Sequence, residues 1–148
     1  MGYRRALKKH GLTLREDWTA PAGHDDQAGY AAMQRLLARK PHPHGVFCFN
    51  DPVAVGAMRA ILEAGLAIPS DIALIGAANM HFPDLLVIPL STVDQGSARI
   101  GALAAQRLLT CMNAPRRLAP EAVLVPARLI VRASSHRLTP ASNAVLYR

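Results

Sequence analysis

The chain has 148 residues, a formal net charge of +7 and an apolar fraction of 51%. This length and composition predict one compact domain with a hydrophobic core and exclude general disorder, and no apolar run reaches the ~18 residues of a membrane span. The 17 Lys and Arg residues are scattered without interleaved aromatic residues, so we interpret them as solvated helix faces rather than a nucleic-acid surface.

The first third of the chain predicts two helices separated by a short strand. Residues 1–9 have apolar residues at helical spacing, and residues 12–19 suggest a strand that ends near Trp18. Asp25 opens the second helix, which runs to about Lys40. The prolines that follow exclude regular structure in the next loop.

The centre of the chain predicts a βαβ unit. Residues 46–49, VFCF, are a short apolar run typical of a strand covered on both faces. Asp51 is a favourable N-cap and Pro52 suits the first helical turn, so a helix is predicted from there to about Ala64. Residues 72–75, IALI, are the second strand. This order predicts an α/β fold built on a parallel sheet.

The last third continues the pattern with a long helix over about residues 95–112. Three short apolar strands are predicted at residues 90–93, 123–125 and 129–131. Residues 136–148 are interpreted as a tail, which leaves residues 1–135 as the domain.

Amide side chains follow the two central strands at their carboxyl ends, where ligands bind in open parallel sheets. Asn50 ends the first of these strands, and Asn79 lies in the loop after the second. An uncharged amide can donate and accept hydrogen bonds, which suits the hydroxyl groups of a small polar ligand. Helix capping is the competing interpretation. We favour capping for Asp51, whereas both interpretations stay open for Asn50.

Enzymatic chemistry has little support in the sequence. The loop GAAN after the second central strand is neither a dinucleotide-binding nor a Walker motif. Cys48 lies inside an apolar run, which predicts a core thiol rather than a nucleophile, and His42 with His44 would need further ligands to hold a metal. We therefore predict no enzyme, no metal and no cofactor. Cys48 and Cys111 are predicted to be buried free thiols.

The chain resembles the lactose/galactose-repressor (LacI/GalR) family of bacterial transcription regulators in three ordered stretches, GVFCFNDPVAVGAMRAILEAGLAIPSDIALIG, PLSTVDQGSARIGALAAQRLL and VPARLIVRASS. The likeness extends over about residues 1–135. It implies a type I periplasmic-binding-protein-like fold, in which two three-layer α/β lobes close on a small ligand. This chain would form most of the second lobe and a part of the first, without the helix-turn-helix.

The resemblance implies a binding site for a sugar or a related small polar effector. Trp18 falls where the family presents an aromatic side chain, Asn50 matches the Asn of the family's ND motif, and Gln95 lies at a crossover that reaches the cleft. Asn79 belongs to the loop in which the family carries GYDD or GFDD, and Ala78 replaces the first Asp of that motif. With this carboxylate and one lobe missing, we expect affinity no better than millimolar.

The resemblance also implies a cytoplasmic homodimer that contacts operator DNA only through an N-terminal domain outside this chain. The helix that begins near Asp51 has two apolar stripes, and a second stripe indicates either a second partner or deeper burial in the same domain. The predicted interface residues are Val55, Met58, Leu62, Leu85 and Leu86. The alternative class is a fragment of a periplasmic solute-binding protein for sugar transport. A helix-turn-helix or a signal peptide encoded upstream would decide between the two.

Overall fold

The structure is a computed structural model that describes residues 2–114, 116 and 119–136. Its sheet has four strands in the order β1-β2-β3-β4. The strands are β1 (Gly45–Phe47), β2 (Ala73–Ala77), β3 (Ser91–Asp94) and β4 (Arg128–Ile130). β1, β2 and β3 run parallel, and β4 is antiparallel to β3. The predicted α/β fold with a mostly parallel sheet is therefore confirmed. Most of the predicted tail lies outside the described residues.

The four α-helices are α1 (Gly2–Lys9), α2 (Asp26–Leu37), α3 (Asp51–Glu63) and α4 (Ser97–Asn113), and two 3-10 turns cover Glu16–Trp18 and Pro83–Leu85. The cap of α2 is the predicted one, because the Asp25 side chain accepts a hydrogen bond from the Ala28 N–H at 2.8 Å. The helices thus begin and end close to where their periodicity predicted.

Two predicted strands are absent from the described residues. Residues 12–19 instead contain a 3-10 turn, in which the Trp18 N–H donates to the Arg15 carbonyl. Residues 123–125 are irregular, and the Leu124 side chain is 93% exposed. A strand needs a hydrogen-bonded neighbour, and neither segment has one.

The core lies between α2, α3 and the sheet, and the two helices approach each other through glycine. A Cβ built on Gly56 would lie 1.8 Å from the Asp26 carbonyl oxygen, and one on Gly29 would lie 2.2 Å from that of Val53. Only glycine permits this backbone separation. Since α3 begins four residues after the end of β1, its N-terminus lies at the carboxyl edge of the sheet.

The C-terminal part of the described chain returns to the sheet through Ser134. Ser134 is fully buried, and its hydroxyl donates to the Leu74 carbonyl of β2 at 2.6 Å while accepting from the Ser91 N–H of β3 at 2.8 Å. These bonds fix residues 131–136 across the central strands.

Candidate functional site

The carboxyl ends of β1, β2 and β3 lie at one edge of the sheet because these three strands are parallel. This arrangement places Asn50, Asn79 and Gln95 on the three chain segments that leave this edge. The structure therefore brings three of the four predicted effector-binding residues to a common edge.

Asn50 is the N-cap of α3, with its side-chain oxygen accepting from the Val53 N–H at 2.8 Å. Its amide nitrogen donates to the His24 carbonyl at 2.9 Å. An amide group has two donor hydrogens and two acceptor lone pairs, so one of each remains for a ligand. Both interpretations of Asn50 are thus compatible with its geometry, with capping directly observed.

The capping role favoured for Asp51 was wrong. Asp51 is fully buried, and its carboxylate accepts from the Thr92 hydroxyl at 2.6 Å and from the Met80 N–H at 2.9 Å. It therefore ties α3 to β3 and to the loop after β2. Gly76 makes room for it, since a Cβ there would lie 2.3 Å from the Asp51 Oδ1 atom. Asn50 takes the cap because it stands one residue earlier and is equally suited to it.

The loop after β2 is held in an unusual backbone conformation. Ala78 has a φ of 113° and Asn79 a φ of 50°, both in the left-handed range. The Asn79 side chain accepts from the Arg132 guanidinium at 3.2 Å and donates to the Asp94 carboxylate at 3.4 Å. Arg132 also pairs with Asp84. The amide of Asn79 is thus oriented by charged neighbours on both sides.

Asp94 and Arg132 are two site residues that the sequence reasoning missed. Asp94 ends β3, and its half-buried carboxylate also accepts from the Gly96 N–H at 2.8 Å. The position of an Asp at the end of a parallel strand could have indicated it. Arg132 is brought in by the return of the C-terminal segment, which no local pattern predicts. The edge thus carries a carboxylate although Ala78 lacks one.

Gln95 and Trp18 occupy different surroundings. Gln95 is exposed in the short link between β3 and α4. The Trp18 ring nitrogen donates to the Pro41 carbonyl at 3.2 Å, and the Arg15 guanidinium stacks 4.2 Å from its ring centroid. Pro41 precedes β1, whereas Asn50 follows it. Trp18 lines a cavity beside β1 together with Phe47 and Phe49, and the three amides are not among the residues that line it.

The surroundings of Asp17 and Cys48 shift the pKa values of these two side chains. The hydrogen bond from Arg15 lowers the pKa of the Asp17 carboxyl next to Trp18. Burial raises the pKa of the Cys48 thiol to about 12, with a further contribution from the charge of Asp51. Cys48 is consequently a neutral core thiol at physiological pH, as the sequence predicted. The predicted burial of Cys111 was wrong, because this residue lies on the exposed surface of α4.

Fewer of the predicted dimer-interface residues are accessible than the sequence indicated. Met58 is only 5% exposed and belongs to the core, so its assignment to an exposed stripe was wrong. Met58 belongs to the same core cluster as Met33 and Leu36 of α2. Leu62 remains 39% exposed and Leu85 81% exposed, while Val55 and Leu86 are half-buried.

Neither a metal centre nor a membrane span is found in the part of the chain that the structure describes. No group of three or more His, Cys, Asp or Glu side chains there could hold a metal ion. No described helix is long and apolar enough to cross a bilayer.

The fold and this edge define a periplasmic-binding-protein-like domain, and comparison with known proteins agrees. Residues 1–135 match the family described as periplasmic binding protein-like domain, so the chain belongs to that family. Its curated relatives are LacI-type transcriptional repressors, in agreement with the resemblance seen in the sequence.

Two curated relatives illustrate this. The chain is 38% identical over 138 residues to the probable HTH-type transcriptional repressor ExuR of Bacillus subtilis, covering 93% of this chain and 41% of the repressor. It is 34% identical over 137 residues to the ribose operon repressor of Haemophilus influenzae, again covering 93% of this chain and 41% of the repressor. The chain thus spans about two fifths of the length of these relatives.

Solved structures show the same fold. A complex of the transcriptional regulator CelR with cellobiose superposes with a TM-score of 0.85 at 27% identity, covering 90% of this chain and 41% of that one. A LacI family regulator from Enterococcus faecium with bound ribose gives a TM-score of 0.82 at 29% identity, covering 93% and 51%.

Proposed function

We propose that this chain is the effector-sensing and dimerisation portion of a cytoplasmic LacI-type regulator whose effector is a sugar or a similar small polar molecule. The observation that carries the proposal is the convergence of Asn50, Asn79 and Gln95 at one edge of the sheet, beside the Asp94 carboxylate. The named relatives are transcriptional repressors rather than enzymes or transport proteins, which favours a regulator over the transport alternative. Operator contact would belong to another part of the regulator.

The chemistry of this edge suits a polyhydroxylated ligand. Amide groups offer both donors and acceptors, and a carboxylate accepts strongly from sugar hydroxyls. Asn79 and Asp94 are already oriented by Arg132 and Gly96, so little side-chain freedom is lost on binding. A single lobe buries only one side of a ligand. We therefore expect weak binding by the isolated chain, on the order of millimolar.

Titration with ribose and with cellobiose tests this proposal by NMR, through the side-chain amide signals of Asn50, Asn79 and Gln95. We expect these signals to shift together and to saturate near millimolar sugar. Gln34 is the internal reference, because its amide bonds the Tyr30 hydroxyl on α2. Gln95→Ala should weaken binding severalfold, whereas the matched variant Gln106→Ala, on the exposed surface of α4, should not.

Two results would contradict the proposal. One is the absence of any change in the NMR signals of the three side-chain amides at a sugar concentration 100 times higher than the expected millimolar saturation, on the order of 0.1 M. The other is an equal loss of affinity in Gln95→Ala and Gln106→Ala.

Dimerisation is proposed through an apolar surface that combines Val55 and Leu62 of α3 with Leu85 and Leu86 of the segment before β3. These four side chains are apolar. Leu62 and Leu85 are exposed and Val55 and Leu86 are half-buried, so together they offer surface that a second copy would cover. A contact of this kind would be isologous, each surface meeting its own copy across a two-fold axis.

A further inference from the structure

The side-chain amide of Asn79 lies between two charged groups that determine which way it faces. A guanidinium group only donates hydrogen bonds, so Arg132, at 3.2 Å, must meet the carbonyl oxygen Oδ1 of Asn79. A carboxylate only accepts, so Asp94, at 3.4 Å, must meet the amide nitrogen Nδ2. The reversed amide would set donor against donor and acceptor against acceptor. The orientation of Asn79 is therefore fixed by its two charged neighbours.

Arg132 provides a rigid support for this amide because its guanidinium is bonded through all three nitrogen atoms. Nη1 donates to the Leu90 carbonyl at 2.9 Å, Nε pairs with Asp84, and Nη2 donates to Asn79. The side chain of Arg132 is only 16% exposed. It consequently has little freedom to move away from the amide.

The backbone of the loop after β2 is held independently of Arg132. Three consecutive N–H groups, those of Ala78, Asn79 and Met80, donate to Val93, Thr92 and Asp51 at 2.9, 3.2 and 2.9 Å. With the backbone fixed in this way, the rotation of the Asn79 amide is the freedom that Arg132 removes.

We propose that Arg132 is a positioning residue for the effector, and that the pair it orients, Asn79 with Asp94, selects a neutral polyhydroxylated effector over an anionic one. The proposal rests on the function proposed above and names the substrate class of the same edge. Asn79 Nδ2 has two hydrogens and uses one for Asp94, so one donor remains. The two oxygens of Asp94 accept from Gly96 and from Asn79, and each keeps a lone pair. Neighbouring hydroxyl groups suit this donor and these acceptors.

The charges at this edge favour a neutral ligand. Among the described residues Asp94 forms no ion pair, whereas Arg132 is engaged with Asp84. Arg128 is the cross-strand neighbour of Asp94 on β4, but it is exposed to solvent. A carboxylate or phosphate on the ligand would therefore face the Asp94 carboxylate at short range, where like charges repel. A hydroxyl group meets no such repulsion.

The first test compares methyl β-glucoside with methyl β-glucuronide, which share one ring and differ by a carboxylate in place of the hydroxymethyl group. The 148-residue chain is titrated at low salt, and the NMR signals of the Asn79 side-chain amide are followed. We expect the glucoside to bind about tenfold more tightly, and the ratio to shrink as salt screens the repulsion. Asp94→Asn should reduce the ratio to about two or less. Asp71→Asn is the matched control, because it makes the same charge change at an exposed site before β2, and it should keep the ratio.

A double-mutant cycle tests the positioning role. Arg132→Met should weaken glucoside binding about fivefold in the parent chain and have no effect in the Asn79→Gly background, since it acts through that amide. Glycine adopts the φ of 50° at this position freely, so the backbone is preserved, and the Asn50 amide signal then reports binding. Arg59→Met is the matched control, because Arg59 pairs with Glu63 on α3, and it should leave the affinity unchanged. If Arg132→Met does not fold, Arg132→Lys should show the same dependence on Asn79.

Three results would overturn the proposal while glucoside binding, and with it the proposed function, stands. The first is equal affinity of the parent chain for the two ligands. The second is a ratio that survives Asp94→Asn. The third is an equal loss of affinity from Arg132→Met in the parent and in the Asn79→Gly background, which would make the role of Arg132 merely structural. The absence of any signal change with either ligand at Asn50, Asn79 and Gln95 would instead contradict both proposals.

Discussion

α3 and α4 are similar in sequence character and opposite in environment. Both have apolar residues at helical spacing, yet α3 contains eight buried residues and α4 contains none. α3 is enclosed by α2 and the sheet, whereas Leu108 and Met112 of α4 are 60% and 72% exposed. Periodicity therefore predicts that a helix forms and which face is apolar. Whether that face is covered depends on a partner elsewhere in the structure.

The largest expected effect contrasts a glycine in each of these helices. Gly56→Ala should destabilise the chain by about 4 kcal/mol or more, since backbone atoms of α2 cannot move away from the added Cβ. Gly101→Ala is the matched control in α4, where an added Cβ meets nothing within 4 Å. It should stabilise by about 0.5–1 kcal/mol through backbone entropy. Urea unfolding measures both, and equal effects would show that α2 and α3 are not packed as described.

The next effect concerns the buried carboxylate that ties α3 to β3. Asp51→Ala should cost about 3 kcal/mol, because the Thr92 hydroxyl and the Met80 N–H lose their acceptor in a dry environment. Asp71→Ala is the control, since Asp71 accepts from the Ala67 N–H at 2.7 Å at an exposed site. It should cost about 1 kcal/mol or less. A similar cost for both variants in urea unfolding would mean that water replaces the Asp51 bonds.

These contrasts show how far the sequence alone predicts this molecule. The βαβ unit follows from local signals, namely apolar runs, caps and breakers, and it was predicted within a few residues. The absence of a strand at residues 12–19 could not be predicted from the sequence, because a strand forms only when a neighbouring strand supplies hydrogen bonds. The exchange of roles between Asn50 and Asp51 has the same origin. Both residues suit a cap, and only the position of Thr92 decides which one turns inward.

The candidate site was predictable in part for a related reason. Asn50 and Asn79 follow strands, so the parallel topology alone brings them to one edge. Arg132 joins them from a segment 53 residues beyond Asn79, through the return of the chain to the sheet. Met58 shows the converse limit, because its burial depends on the elements that pack against α3 and not on its own helical position.

The two stripes of α3 provide the third prediction. Leu62→Glu should leave the free energy of unfolding within about 1 kcal/mol of the parent, because the side chain is already 39% exposed. If the proposed dimer forms, this variant should convert it to a monomer in sedimentation. Met58→Glu should instead cost about 3 kcal/mol, since it buries a charge without a partner. A dimer that survives both Leu62→Glu and Leu85→Glu would exclude this surface.

The last comparison, whose effect is absent at neutral pH, is between the two thiols, one in each region. Cys48 is buried under α3, and its pKa is raised from 9.0 to about 12 by burial, whereas Cys111 is exposed on α4. Between these two pKa values the folded chain keeps the Cys48 proton that the unfolded chain releases, so stability falls as pH rises above about 9. At pH 10.5 the loss should be about 2 kcal/mol, from roughly 1.5 units at 1.36 kcal/mol each. Cys48→Ala should lack this component, although the cavity lowers its stability at every pH. Cys111→Ala keeps Cys48 and should follow the parent. The difference between the slopes of these two variants, in urea unfolding under reducing conditions, isolates the buried thiol from all other groups that titrate at alkaline pH. Equal slopes of the free energy of unfolding against pH in the two variants would mean that water reaches Cys48 and that its burial does not raise its pKa.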